Sequence, residues 1–383
     1  MQIRKLIPAE HAQTRALWEQ VFDEDSKSFL DYYYFMKAKD NDIYVIEEDG
    51  NIQSMIQLNP YTLKTNEARF RGNYIIGVAT APDYRKRGYM GQLLRQTMQD
   101  MYTRKELFTF LMPAAEAIYT PYDFRYVYRQ SQETLQQFTF KATDEPSYLN
   151  REASFFDCEQ LASFFSEHIE ANWQVCTIRD TAYYQSVLLE RQSELGGIRM
   201  VFDGEKLIGT FTYMAEEGLE VLEPLFLSGY EDAFYAALST LATEKQLDFP
   251  LKIYATQQAC TSKKPLIMAR ILRLEDFLKT LTVRSGEQLH CSFAVLDSIL
   301  PQNSKVLEIN GDAADSDVPC HIQVRETEDS EGVLTIGALT SLLFGYKAVE
   351  AIASEENVIL SEHLALELQK IQPLTQIYLN EIV

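Results

Sequence analysis

Ile76-Gly-Val-Ala-Thr-Ala-Pro-Asp-Tyr-Arg-Lys-Arg-Gly-Tyr-Met-Gly-Gln-Leu-Leu94 is the stretch on which the reading of this chain turns. Ile75 to Thr80 form an apolar strand that Pro82 stops, because proline lacks the N–H a sheet ladder needs. A helix opens across Arg85 to Gly91, and its apolar positions Leu93, Leu94, Thr97, Met98 and Met101 recur at the three-and-four spacing of one buried face. The order is strand, basic glycine-containing turn, helix. The first turn of a helix leaves backbone N–H groups unpaired and carries partial positive charge, so this turn can hold a phosphate. Gly88 lets the backbone approach the anion, and Arg85, Lys86 and Arg87 add charge. A lone R-x-x-G would be an ordinary solvated basic turn; here the flanking elements say more.

Val78-x-Thr-x-Pro-x-x-Arg-x-x-Gly88 resembles motif A of the GNAT N-acetyltransferases. The resemblance implies acetyl-CoA as co-substrate. Its pantetheine arm would lie along the backbone of Val78, Ala79 and Thr80, and its pyrophosphate on the turn of Arg85, Lys86, Arg87, Gly88, Tyr89 and Gly91. The sixth position of the motif is usually small, whereas this chain has Met90 there and Gly91 one place later. Downstream, Leu107 to Met112 read as a strand. Tyr119 then stands four residues before Asp123-Phe124, where the family commonly has a tyrosine before a glycine-aromatic pair that protonates the leaving thiolate. A phenol of pKa about 10 can protonate a thiolate of about 8.5 with little tuning. Tyr122 and Tyr126 are the other tyrosines in reach, and plain ring packing is the alternative for all three.

With 383 residues, 46% of them hydrophobic, the chain can build two or three packed domains. A formal charge of −21 argues against nucleic acid or an anionic membrane as a main partner. It suits cationic substrates, although solubility alone also explains it. Cys158, Cys176, Cys260, Cys291 and Cys320 are odd in number and contain no C-x-x-C, which points to free thiols in a reducing cytoplasm. The amino terminus lacks the apolar core of a signal peptide, and no apolar run reaches membrane-spanning length.

Before the central stretch, Pro8 to Phe22 fit an amphipathic helix, and Ile43 to Glu47 with Ile52 to Leu58 fit a hairpin around Asp49-Gly50. From about Arg151 a second module begins. Helices at Asp157–Trp173 and Asp180–Arg191 precede strands at Ile198–Phe202, Leu207–Tyr213 and Leu219–Phe226, a helix at Glu231–Lys245 and a strand at Leu251–Thr256. This echoes the first module, but its helix start at Gly229-Tyr-Glu-Asp is acidic and lacks R-x-x-G, so it reads as a copy that no longer holds a cofactor. A third region from about Gly286 alternates as strands and ends in helices at Ile336–Phe344, Tyr346–Ala353 and Ser361–Ile371. His290-Cys291 and Cys320-His321 invite a zinc reading, but neighbours on a strand face opposite sides. Strand packing is the expected role, and no metal is expected.

Three features together resemble the Eis (enhanced intracellular survival) family of acetyltransferases over essentially the whole chain. They are a motif A with a bulky residue after R-x-x-G-x, a second GNAT-like module without the motif, and a small tail containing Leu339-Thr-Ser-Leu-Leu-Phe-Gly-Tyr346 and ending Tyr378-Leu-Asn-Glu-Ile-Val383. The implied fold class is α/β (α+β), with a catalytic GNAT domain over residues 1–148, a degenerate GNAT-like domain over 149–285 and a sterol-carrier-like domain over 286–383. The implied activity is direct acetyl transfer to a primary amine of an aminoglycoside, a polyamine or a protein lysine. The implied assembly is a hexamer, a trimer of dimers. The family uses its terminal carboxylate in the active site, which falls here on Val383 beside the proton donor Tyr119. Asp25 and Glu381 are candidate carboxylates for a cationic acceptor, and Tyr33 and Phe35 candidate pocket walls. The competing reading is a non-enzymatic acyl-CoA- or lipid-binding regulator, with the tail domain carrying an apolar ligand.

Overall fold

The computed structural model describes residues 2–136, 148–216, 218–246, 250–255, 262–314 and 319–381. The amino-terminal part contains β1 (Gln2–Lys5), α1 (Arg15–Val21), α2 (Lys27–Tyr32), β2 (Asp42–Glu48), β3 (Asn51–Thr65), β4 (Ala68–Thr80), α3 (Tyr89–Thr103), β5 (Phe108–Leu111), the short α4 (Glu116–Tyr119) and β6 (Arg125–Leu135). The expected helix over Pro8–Phe22 is a 3-10 segment, Pro8–Thr14, followed by α1. The expected hairpin forms and is longer than its alternation suggested, β3 running on to Thr65.

The second part holds β7 (Leu149–Glu152), α5 (Cys158–Phe164), β8 (Val175–Thr177), α6 (Thr181–Ser193), β9 (Gly197–Asp203), β10 (Lys206–Met214), β11 (Glu220–Phe226), α7 (Glu231–Lys245), β12 (Leu251–Tyr254) and β13 (Lys263–Ile271). Strands of the two parts join in one 14-stranded sheet whose main path runs β1-β2-β3-β4-β5-β13-β6-β12-β11-β10-β9-β7. Three pairings make the junction along that path. β6 binds β12 on one edge, and β13 inserts between β5 and β6, pairing Met268 with Leu111 and Ala269 with Arg125. The amino-terminal sheet is thus completed by a strand from far along the chain.

The remainder comprises α8 (Leu274–Leu278), β14 (Thr282–Val283), β15 (Gln288–Leu296), β16 (Val306–Asp312), β17 (Gln323–Glu326), β18 (Gly332–Thr335), α9 (Ile336–Leu343), α10 (Val349–Ile352), β19 (Ile359–Leu360), α11 (Glu362–Leu368), β20 (Ile371–Gln372) and β21 (Ile377–Tyr378). A five-stranded sheet of order β17-β16-β15-β18-β19 carries these helices. On β15, Cys291 is buried while the His290 side chain is 72% exposed, so the pair splits across the sheet as strand geometry requires. Phe108 of β5 meets Phe277 and Phe344 edge-on at 6.1 and 5.2 Å, joining the first and last parts in a core that Phe165 and Ile198 of the second part also enter. Each such buried ring contributes roughly 1.5–3 kcal/mol through burial. Past α11 the chain returns to the first sheet, where β21 pairs in parallel with β8 and β8 pairs with β3.

Candidate active site

Strand β4 carries an extra residue opposite β3, since Met55 pairs with Ala79 but Gln57 pairs with Ile76. Gly77 sits at this bulge with φ +58°, and a side chain there would strike the Trp18 ring at 2.6 Å. The glycine within the apolar run was the available sign of the bulge. Beyond it β4 parts from β5: the two share one registered pair, Tyr74 with Phe110. The edge of Val78, Ala79 and Thr80 that faces β5 is therefore unladdered among the described residues. Ser54 hydrogen-bonds Thr80 Oγ1 at 2.8 Å and donates to the Ala79 carbonyl at 2.9 Å, fixing the strand from its other side.

From Thr80 the chain passes a 3-10 turn at Pro82–Tyr84 and enters α3 through Gly88, whose φ of +79° is left-handed. The expected helix start at Arg85–Gly91 resolves into a turn followed by a helix from Tyr89. The backbone N–H groups of Arg87, Gly88, Tyr89, Met90 and Gly91 hydrogen-bond to no described residue. Arg85 donates to the Thr80 carbonyl, Arg87 stacks 4.4 Å over Tyr84, and Arg85, Lys86 and Arg87 form no ion pair among the described residues. Free N–H groups at the head of a 15-residue helix, an open approach at Gly88 and three unneutralised cations fit a diphosphate. Gly91 has another role: a Cβ there would lie 2.3 Å from the Tyr122 hydroxyl. That glycine lets the Tyr119–Tyr122 turn rest on α3. Met90, at the family's small position, packs half-buried against the core under α3. Tyr89 is buried with its hydroxyl on Glu48.

Tyr119 ends α4, 6% exposed, with its ring 6.0 Å from Phe124. Its hydroxyl hydrogen-bonds to no described residue, and burial alone pushes the phenol up to about 12. The turn beneath is strongly held. Asp123 takes the left-handed conformation, φ 63°, that the family's glycine would adopt without cost. Arg125 donates to the carbonyls of Thr120 and Phe124, and Arg270 of β13 donates to the Tyr122 carbonyl at 3.0 Å. Arg270 in turn pairs with Asp297 at 2.6 Å, both fully buried, so the carboxy-terminal part supports the tyrosine's turn.

A cavity of about 690 Å³ lies between β3, α6, β11 and the chain's last described residues. Arg179 donates to both oxygens of Glu223, at 2.8 and 2.7 Å, and Asn380 donates to Glu223 Oε1 at 3.0 Å. Burial alone would raise the Glu223 carboxyl, but the Arg179 charge and these hydrogen bonds carry it below its ordinary value. Glu381 accepts from Thr177 and from the Tyr183 hydroxyl at 3.4 Å through Oε1, and its buried Oε2 has no partner among the described residues. Burial raises its carboxyl, with Arg179 opposing. The rings of Tyr61, which lines the cavity, Phe110 and Tyr74 pack in series, with centroids 6.4 and 5.3 Å apart, and burial raises the Tyr74 phenol.

Of the acceptor residues expected from sequence, Glu381 alone lines the cavity. Asp25 accepts from Trp18 Nε1 at 2.7 Å, behind the β4 bulge. Tyr33 is wholly buried among Gln57, Asn59 and Asn41, and Phe35 is 81% exposed. Val383 lies outside the described residues. Arg179, Glu223 and Tyr61 were missed, being scattered through the sequence without a local motif.

The family model of the acetyltransferase (GNAT) domain matches residues 2–127. The amino-terminal domain is a GNAT acetyltransferase domain. Residues 274–380 match the sterol carrier protein domain. No curated protein matches the sequence. Three solved structures share the fold from end to end. A probable N-acyltransferase from Enterococcus faecalis V583, a conserved protein of unknown function, has TM-score 0.81 at 19% identity, covering 98% of this chain and 99% of its own. A GCN5-related N-acetyltransferase from Kribbella flavida has TM-score 0.79 at 14% identity over 100% and 98%. Eis1 from Mycobacterium abscessus has TM-score 0.70 at 15% identity over 99% of each chain. The chain thus has the Eis-like fold: a GNAT domain, a second α/β part joined to its sheet and a sterol-carrier domain. It is built as an acyltransferase of the GNAT type.

Proposed function

We propose that the GNAT domain uses acetyl-CoA to acetylate a primary amine of a cationic acceptor (an aminoglycoside, a polyamine or a protein lysine) by direct transfer. The observation that carries this reading is the parting of β4 and β5 beyond Tyr74. It leaves the edge leading to the head of α3 open, and Tyr61, which lines the Glu381 cavity, packs with its ring centroid 6.4 Å from that of Phe110, the β5 residue that pairs with Tyr74 of β4. The Arg85–Gly91 turn holds the pyrophosphate, and the Val78–Thr80 edge bonds the pantetheine arm as a neighbouring strand would. The Val383 carboxylate assists removal of the ammonium proton through water, and the free amine attacks the thioester carbon. The C–S bond breaks, Tyr119 gives its proton to the departing sulfur, and the proton shed by the new amide nitrogen returns to Tyr119 through solvent. Juxtaposing two bound reactants supplies most of the acceleration. Glu381 anchors the acceptor ammonium.

The reading extends to a cytoplasmic homo-oligomer, a trimer of dimers. Free thiols at Cys158, Cys176, Cys291 and Cys320 accord with that compartment, and no helix among the described residues is long and apolar enough to cross a membrane. The regulator reading is less well supported. The 850 Å³ groove of the carboxy-terminal domain is open and lined by Arg284, Glu287, Lys347, Glu350, Glu367 and Lys370 among its apolar residues, which suits a lipid poorly. Incubation with acetyl-CoA and a panel of amines, following thiol release, tests the activity; acetyl-CoA binding without release for any amine would refute it.

A further inference from the structure

The cavity between β3, α6 and β11 is not uniformly acidic, and its charges are sorted by depth. At its floor stand Glu190, Glu223 and Glu381 with two arginines, Arg179 and Arg191. Arg179 spans both oxygens of Glu223, and Arg191 pairs with Glu190 at 2.6 Å and Glu194 at 2.7 Å. Glu381 is left as the surplus carboxylate. Arg179 lies 3.6 Å from its Oε1, yet Oε2, on a residue only 4% exposed, has no hydrogen-bond partner among the described residues. A buried carboxylate oxygen without a donor is unfavourable, and one N–H group of a ligand entering the cavity would relieve it.

At the mouth the balance reverses. Lys37, Lys39 and Arg71 line the cavity, and none forms an ion pair among the described residues. Lys37 Nζ donates to the Tyr61 hydroxyl at 3.0 Å, which leaves its charge unneutralised. Two acids share the mouth: Asp40, exposed beside Lys39, and Asp180, whose side chain caps α6 by accepting from the Tyr183 N–H at 2.8 Å. In a chain of formal charge −21, three unpaired cations around one opening run against the background. Tyr61 and Tyr183, with ring centroids 6.4 Å apart, separate this cationic rim from Glu381.

We infer that the acceptor is a zwitterion whose primary ammonium binds Glu381 and whose anionic group, several bonds behind, is held by Lys37, Lys39 and Arg71. This rests on the N-acetyltransferase reading and narrows it: the ω-amine of a linear amino acid, or a lysine near a free carboxylate, is preferred over an aminoglycoside or polyamine. A polycation would place its second charge against the mouth cations. Acetylation then converts the ammonium end into a neutral amide: nitrogen bonds to the acetyl carbon as the C–S bond breaks. Of the two protons the nitrogen loses, one is balanced by the proton the sulfur gains through Tyr119 and the other passes to solvent. The product loses its attraction to Glu381 and departs.

The full chain with acetyl-CoA is assayed for thiol release against three six-carbon amines: 6-aminohexanoate, hexylamine and 1,6-diaminohexane. The expected order of kcat/KM is anion over neutral over cation, with about tenfold between the ends, as several partly exposed charge pairs would give. Arg71→Glu should cut the ratio of 6-aminohexanoate to 1,6-diaminohexane at least about threefold, a ratio that loss of folded protein does not change. A diamine used as well as the amino acid, turnover confined to polyamines or aminoglycosides, or a ratio unmoved by Arg71→Glu each overturns the inference while leaving the transferase reading standing. Absence of thiol release with every amine overturns both.

Discussion

Tyr119→Phe removes one oxygen from a side chain that is 6% exposed and whose hydroxyl has no hydrogen-bond partner among the described residues. No bond is lost and a buried polar atom is deleted, so stability should change little or rise slightly. The ring keeps its contact with Phe124, and the Arg85–Gly91 turn lies outside the change, so acetyl-CoA affinity should match wild type. If Tyr119 is the general acid, kcat should fall about a hundredfold or more, on the order of 2.7 kcal/mol of barrier. The pH profile sharpens the test. A phenol pushed up to about 12 stays protonated throughout pH 6–10, so Tyr119 should give the wild-type kcat no descending basic limb in that range. The variant should keep the same profile shape at lower height. Steady-state kinetics, acetyl-CoA titration and a thermal melt measure the three quantities. A kcat within about threefold of wild type, with the melt unchanged, would refute the role of proton donor.

Gly91→Ala places a methyl 2.3 Å from the Tyr122 hydroxyl, so it should lower kcat/KM although alanine favours the helix, and Tyr122→Phe in the same chain should restore part of the loss; full activity of the single variant would show that the contact does not position the turn. Asp297→Asn leaves Arg270 buried without its counter-charge and should cost about 3–5 kcal/mol in a denaturant titration, with an unshifted midpoint counting against the pair's importance. Asp157 accepts from Arg151 and Ser154, and the Arg151 bond foremost holds its carboxyl below the usual range. A depressed carboxylate stabilises above its unfolded pKa and loses that contribution as pH falls through the folded one. Asp157→Asn should therefore cost about 1 kcal/mol near pH 7, with the difference from wild type shrinking below about pH 4. A difference constant with pH would exclude this linkage.

The donor side was legible because its signals are local. A strand, a basic turn with Gly88 and a helix of period 3.6 lie within thirty residues, and each is formed by contacts close in sequence. Tyr119 was legible through its place after β5. The acceptor side was not, since Arg179, Glu223 and Glu381 meet only after distant strands have paired. The aromatic run before β2 shows the limit: Tyr33 and Phe35 are two residues apart, and a helical turn sends them to opposite faces, one into the core and one into solvent. The insertion of β13 was also hidden. Lys263–Ile271 has a strand's composition, but its partners Leu111 and Arg125 lie well over a hundred residues upstream, and alternation carries no information about which edge a strand will join.

That insertion sets a schedule for synthesis. β5 and β6 flank the tyrosine's turn, yet the strand between them is translated after about 130 further residues, and Asp297 later still. At ribosomal rates the half-made sheet waits roughly six to twenty-six seconds with two open edges before it can close. A fragment ending near residue 150 would keep those edges for good, exposed to pairing with other copies of itself. The motif that announces the enzyme comes off the ribosome early, but the Tyr119 turn can be locked only once most of the chain has emerged.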